Sequence, residues 1–407
     1  MASRRGLLQR VAAASGLASL AGCSGLLGGG RSAPVADLGP NPLADSLPRR
    51  QHAWNGALPT DGDGNPLAPR HYRVFLLDLD QEPSESSAET VERAMRTLES
   101  AYEWGSNGLF HVLAWGTTYF DRLGALGDSP IRRPKVISRT DDPDLLDFDA
   151  ALFLATSVPS HLSAVESAMF GSRSTIGGET VEARLGDVFS VRARRTGFIG
   201  EGLPAEHAVV EGVPVDIPGD APMFTGMFSG RAGTQASEDR VTISEGPYEG
   251  GTTMHVSHLR ESLDAWWRLA EDERVSRMFS SEFSSEDIPD LGQSVPFADA
   301  VRDHAGEGAV GHWEKVRRVR EDGEPLILRR DFNTTDSGQA GVHFLAFQES
   351  LADFVKTRDA MNGWWLREEH PDLTDSANNG LLEFIEVTSR ANFYVPPRED
   401  RVFPGVE

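Results

Sequence analysis

Cysteine is all but missing from this sequence of 407 residues: Cys23 is the only one. An internal disulfide and a cysteine-based metal cluster are therefore excluded. Lysine is nearly as scarce. Lys135, Lys315 and Lys356 are the only lysines among 39 basic residues, and the rest are arginines. Positive charge is short overall, because 62 acidic residues leave a formal net charge of −23. A surface of that sign repels phosphate backbones, which argues against nucleic acid as a partner. Acid-rich, lysine-poor surfaces are those of salt-adapted proteins, so a halophilic habitat is expected. The P-loop and the G-x-S-x-G elbow are also missing.

What is present begins at the N-terminus. Arg4-Arg5 precedes an apolar run from Val11 to Ala21, which ends in Leu20-Ala21-Gly22-Cys23. The run is too short to span a membrane. The basic pair resembles a twin-arginine export signal, and Leu-Ala-Gly-Cys resembles a lipobox. The expectation is export in folded form by the twin-arginine route, with Cys23 lipidated. The polar body would then be anchored to the outer face of the cell membrane, with no membrane contact except through the lipid. Residues 1–22 are read as the signal and 23–48 as a Gly/Ser/Pro-rich tether.

From Arg49 on, apolar patterning predicts strands at Tyr72–Leu79, Leu109–Trp115, Ala150–Ala155 and Asp187–Arg194. Helices are predicted after the capping box Ser86-x-x-Glu89 and over His161–Phe170. A second set follows: strands at Thr252–Leu259, Leu326–Arg330, Val342–Phe347 and Asn392–Val395, with helices over Leu263–Met278 and Leu351–Trp365. Both sets read β-α-β-β-α-β, the ferredoxin-like unit. The fold class is thus α+β, with two ferredoxin-like domains of antiparallel sheets at 49–205 and 206–400. Ligands favour the seam between such units.

Some motifs carry little. Asp61-Gly-Asp-Gly-Asn65 opens like a calcium loop but has Tyr72 at the twelfth position, so it is a turn. Gly306-Glu-Gly-Ala-Val-Gly311 matches G-x-G-x-x-G without a βαβ setting. His255 and His258 have zinc-like spacing, but residues three apart on a strand face opposite ways.

The segment Gly311-His-Trp-Glu-Lys-Val-Arg-Arg318 followed by Leu326-Ile-Leu-Arg-Arg-Asp-Phe332 resembles the dye-decolourising peroxidases. Ala340–Gln348, Leu381–Ile385 and Asn392–Pro397 match that family's later strands in order, and the resemblance extends from Arg49 to Pro397. It implies an enzyme with haem b as cofactor, which reduces hydrogen peroxide and oxidises an organic or dye-like reductant by one-electron steps; the export signal is what would put this work outside the cytoplasm. It further implies His312 as the proximal iron ligand (with His304 eight residues upstream as the alternative), Arg329 as the distal arginine, and Glu383 as the carboxylate behind the ligand. The family's distal acid is an Asp in Gly-Phe-x-Asp-Gly. Gly197-Phe-Ile-Gly-Glu-Gly202 has one residue more and Glu in its place, which makes Glu201 the matching catalytic acid. Homo-oligomers are compatible with the resemblance. The altered motif motivates an alternative: a non-catalytic haem- or ligand-binding lipoprotein on the same scaffold.

Overall fold

The computed structural model describes residues 34–405 except 63, 215–216, 228–229, 231–232, 288–308 and 369. The export segment with Cys23, the first glycines of the Gly306 motif and His304 lie outside the described residues.

The first half contains β1 (His71–Leu79), α1 (Glu85–Ala101), β2 (Phe110–Gly116), β3 (Ala150–Thr156), α2 (Pro159–Met169) and β4 (Phe189–Phe198). The second contains β5 (Thr252–Glu261), α3 (Glu271–Met278), α4 (His312–Val316), β6 (Phe332–Thr334), β7 (Gly341–Gln348), α5 (Leu351–Asn362) and β8 (Ile385–Val395). Hydrogen bonding orders the strands β4-β1-β3-β2 and β8-β5-β7-β6, the same antiparallel ferredoxin-like order twice. The two sheets then join at both edges. Phe198 of β4 pairs with Asn333 of β6, and Trp115–Gly116 of β2 pair with Tyr394–Phe393 of β8. Eight strands thus close into one barrel.

Side-chain alternation sorts the apolar residues into two layers. Tyr72, Val74, Leu76, Val112, Phe153, Phe332, Leu345 and Phe393 point inward and fill the barrel. Tyr72 lies flat on Phe332 with ring centroids 4.7 Å apart, so the two halves share one core. Trp54, from the segment before β1, stacks on Phe110 at 4.7 Å and plugs this interior. Phe75, Leu77, Leu113 and Leu152 point outward, where Val91, Met95 and Leu98 of α1 and Leu162 and Val165 of α2 cover them.

Local chemistry moves several predicted boundaries. Helix α1 starts two residues before the predicted box, because Ser84 and Ser87 each bond the other's backbone N–H through their hydroxyls. The predicted helix Leu263–Met278 is two: Leu263–Trp266, then α3. The Trp266 and Trp267 indoles donate to the Thr225 and Phe224 carbonyls at 2.9 and 3.0 Å, and Glu273 accepts from the Ala270 N–H to begin anew. Strand Leu326–Arg330 shrinks to Leu328–Arg329, and β8 runs seven residues further toward its N-terminus than predicted. His255 and His258 do face opposite ways: His255 stacks on Phe354 at 3.8 Å, and His258 lies beside His343.

His52 and His255 are buried in this framework and their pKa values are pushed down to about 3, chiefly by burial. Arg50 adds to the effect at His52, and Arg390 at His255. Both rings are neutral in the fold, whereas the unfolded chain takes up their protons below about pH 6.5. Stability should therefore fall as pH drops through 6.5, by about 2 kcal/mol per histidine at pH 5. Denaturant unfolding at constant salt measures this, and a flat profile between pH 7 and 5 would contradict it.

Candidate functional site

The outer face of the second sheet is not sealed as the first one is. Between it and helices α4 and α5 lies a cavity of about 190 Å³. That is far more room than the roughly 10–15 Å³ one water needs. Ser257, Leu259 and Glu261 of β5, Val342 and Phe344 of β7, and Ile385 and Val387 of β8 form the sheet wall. His312, Trp313 and Val316 of α4 face them, together with Phe354, Thr357, Arg358 and Met361 of α5. The lining is mostly apolar, with cationic groups set into it.

His312 is the first residue of α4, and its backbone is tightly held. A side chain at the preceding Gly311 would place Cβ 1.9 Å from the Phe279 carbonyl oxygen. Behind it, the buried Lys315 Nζ donates to the Asn379 carbonyl at 2.9 Å, and Asn379 donates to Asn362 at the end of α5. These bonds pin the two cavity helices together. The imidazole opens into the cavity while its Nδ1 is buried with no hydrogen-bond partner among the described residues. Burial, then the charges of Lys315, Arg329 and Arg358, hold His312 well below the ordinary histidine range. A neutral ring with an available lone pair is the form that ligates a metal.

Arg329 comes from the two-residue strand beside β7, its backbone N–H bonded to the Gln235 side chain at 2.9 Å. It lines the same cavity as His312. Arg358 of α5 and Arg390 of β8 also line it, and both reach Asp141, at 2.9 and 2.7 Å. Asp141 arrives from the loop between β2 and β3, so the first half supplies the counter-charge of the second. One carboxylate serves two guanidiniums, and among the described residues Arg358 Nη1 and Arg390 Nε keep no partner. Burial and then the neighbouring Arg358 push Arg390 down to about 10, still charged at neutral pH. The wall is therefore receptive to an anion.

Two carboxyls line the cavity as well. Glu261 is buried without a counter-charge among the described residues, and burial pushes it up to about 8, so it is neutral at pH 7. Asp331, half-buried, stands two residues after Arg329.

The structure brings His312 and Arg329 together and leaves two predicted residues elsewhere. Glu201 is exposed on the turn after β4, outside the cavity lining, and its carbonyl accepts from Arg70 at 3.2 Å. Glu383 lies 3.5 Å from Arg277 and accepts from the Asn378 N–H, so its carboxylate is engaged away from the imidazole. The sequence reading missed Arg358, Arg390, Asp141, Glu261 and Asp331. The spacing Arg329-x-Asp331 on a strand could have shown one of them. Asp141 carries no local signal.

Among the described residues no three His, Cys, Asp or Glu side chains converge on a point where they could hold a metal ion. A metal at His312 would have to bring its other ligands with it. A planar, largely apolar macrocycle with anionic edge groups fits the lining.

A family model described as "Family of unknown function (DUF7405)" matches residues 69–397. No curated protein matches the chain. Solved structures do. A DyP-type peroxidase from Cellulomonas bogoriensis is 16% identical with a TM-score of 0.55, over 86% of this chain and 99% of that one. A heme complex of a DypB variant from Rhodococcus jostii RHA1 is 15% identical with a TM-score of 0.53, over 88% and 100%. A dye-decolorizing protein from V. cholerae is 16% identical with a TM-score of 0.50, over 87% and 99%. At such identities the likeness shows the fold, the α+β barrel of two ferredoxin-like sheets.

Removing the shared counter-charge tests the cationic wall. Asp141→Asn should destabilise the protein by about 3–5 kcal/mol, because two buried guanidiniums then face each other uncompensated. Adding Arg390→Gln should recover part of the loss. Chemical denaturation of the two variants measures both effects.

Proposed function

This chain belongs to the family of unknown function DUF7405, and from the geometry of its cavity we propose that it is a haem-binding peroxidase. One observation carries the reading: a neutral histidine with an available lone pair opens into an apolar cavity that Arg329 also lines. His312 would hold the iron, and Arg358 and Arg390 suit the propionates. Covalent c-type attachment needs a C-x-x-C-H motif. With Cys23 as the only cysteine, the fitting form is haem b.

Haem, when bound, supplies the electrons that reduce a peroxide and the oxidising power that one-electron donors then discharge. The chain's residues do the rest. Apolar walls keep water from the reacting centre. The Arg329 guanidinium, whose Nε donates to the Gln235 side chain at 3.4 Å, stabilises negative charge on a departing oxygen. A carboxylate hydrogen-bonded to the ligand's second nitrogen would raise its basicity. His312 Nδ1 has none among the described residues. The substrates we propose are hydrogen peroxide and an organic reductant. The place of work is the outer face of the membrane, supported by Arg4-Arg5 and the lipobox-like Cys23. The position of Glu201 outside the cavity favours a second reading, haem or ligand binding without turnover.

Absorption spectroscopy separates these readings. Protein reconstituted with haemin should show a Soret band that is lost in His312→Ala and that shifts on adding peroxide in the wild type. Arg329→Leu should keep the band and slow the peroxide step about 100-fold or more. A wild type without the band refutes haem binding; a band indifferent to peroxide leaves binding alone. Cys23→Ser should move the protein from the membrane fraction to the soluble one.

A further inference from the structure

Beside the large cavity lies a second one of about 50 Å³, walled by Tyr72, Ile199, Leu58 and Ala68. It has room for a few water-sized molecules and none for an aromatic reductant. Arg329 and Asp331 are the residues common to both linings. They stand at the partition between space for a large ligand and space for a small one. Arg330, between them, turns away from the large cavity and lines only the small one. Its guanidinium lies over the Trp54 ring, donates to the Asn55 side chain at 2.8 Å and sits 3.6 Å from Glu238. Residues i and i+2 of an extended segment share a face, which puts the Asp331 carboxyl and the Arg329 guanidinium on the same side.

We propose that Asp331 is the carboxylate that moves the oxidant's proton, in the role that resemblance assigned to Glu201. The inference rests on the haem reading above. Peroxide cleavage needs the hydrogen on one oxygen to reach the other. Asp331 takes that hydrogen as a proton, the O–O bond breaks, and the carboxylate returns the proton to the second oxygen, which already carries one hydrogen and leaves as water. Asp331 ends as it began, and the two electrons come from the bound haem. The adjacent guanidinium stabilises the departing oxygen until the proton arrives.

The other cavity carboxyl does not suit the task. Glu261 already carries its proton at neutral pH and so cannot take up the peroxide's. It also pairs with Ile385, four residues along β5 from Ser257, which pairs with Phe344 near the level of Asp331. That separation is roughly 13 Å at 3.3 Å per residue. The titratable and charged groups around Asp331 are Arg329, Arg330 and Tyr72, with His312, Arg317, Arg320, Arg358, Arg390 and Glu261 lining the large cavity.

Hydrogen cyanide is a small weak acid that must give up its proton to bind haem iron, and its association is read from the Soret shift without turnover. With haem-loaded protein at pH 7, Asp331→Asn should slow association about 100-fold and flatten its pH profile, while Asp331→Glu recovers part of the rate. Asp331→Ser, which removes the carboxyl differently, should match Asp331→Asn and covers the case of a variant that fails to fold. Unchanged association in a haem-loaded Asp331→Asn or Asp331→Ser protein would overturn the proposal. A wild type with no Soret band would instead end the haem reading and this inference with it.

Discussion

Closure of the barrel is the constraint on which everything else in this molecule depends. Two ferredoxin-like sheets meet along short seams, one a single pairing of Phe198 with Asn333, the other two residues of β2 against two of β8. So few backbone bonds do not hold two sheets together unaided. The shared interior does, through Tyr72 on Phe332 and the aromatic and aliphatic residues around them. Even the seam is fitted closely: a Cβ at Gly197 would lie 2.0 Å from the Asn333 carbonyl oxygen. A barrel filled in this way has no room for a large ligand. Binding must occur on an outer face, and α1 and α2 already cover the first sheet. The face left is that of β5, β7 and β8, and the cavity lies there.

The composition takes on a structural meaning in that light. Acids outnumber bases over the whole chain, yet the cavity wall is cationic. Arginine makes this possible, because a planar guanidinium stays charged when buried and can share one carboxylate with a neighbour. Arg358 and Arg390 do so at Asp141, and Arg398 and Arg401 do so at Glu99. Burial opposes the charge on Glu99, but His111 and Arg401 outweigh it and hold its pKa well below the usual carboxylate range. Lysine loses its charge more readily in such surroundings. Lys315, the buried one, has neutral Asn379 as its hydrogen-bond partner, and burial takes its pKa well below the ordinary lysine value.

The fold was legible because alternation along strands and one capped helix are local signals, and they came twice in the same order. Boundaries were less legible where distant groups decide them. The break after Trp266 depends on the Phe224 and Thr225 carbonyls some forty residues away. The site was half legible. His312 and Arg329 stand in segments whose residue order is itself a pattern. Glu383 could not be judged from the sequence, since its engagement with Arg277 and Asn378 is a tertiary fact. Glu201 sat in a motif with one residue too many. The structure spends that length on a turn with Gly200 and Gly202 at positive φ, which leaves the glutamate in solvent.

The two halves look like repeats, but the site does not belong to the second one alone. His312, Arg358 and Arg390 come from the second half, while the carboxylate that compensates both arginines comes from a loop of the first. Tyr72 and Ile199, also from the first half, wall the small chamber next to Arg329 and Asp331. Separated at the seam, the second sheet would keep its histidine and lose both its charge balance and one wall. The ligand room is therefore a property of the closed barrel, and closing the barrel is what makes an outer face of one half into a site.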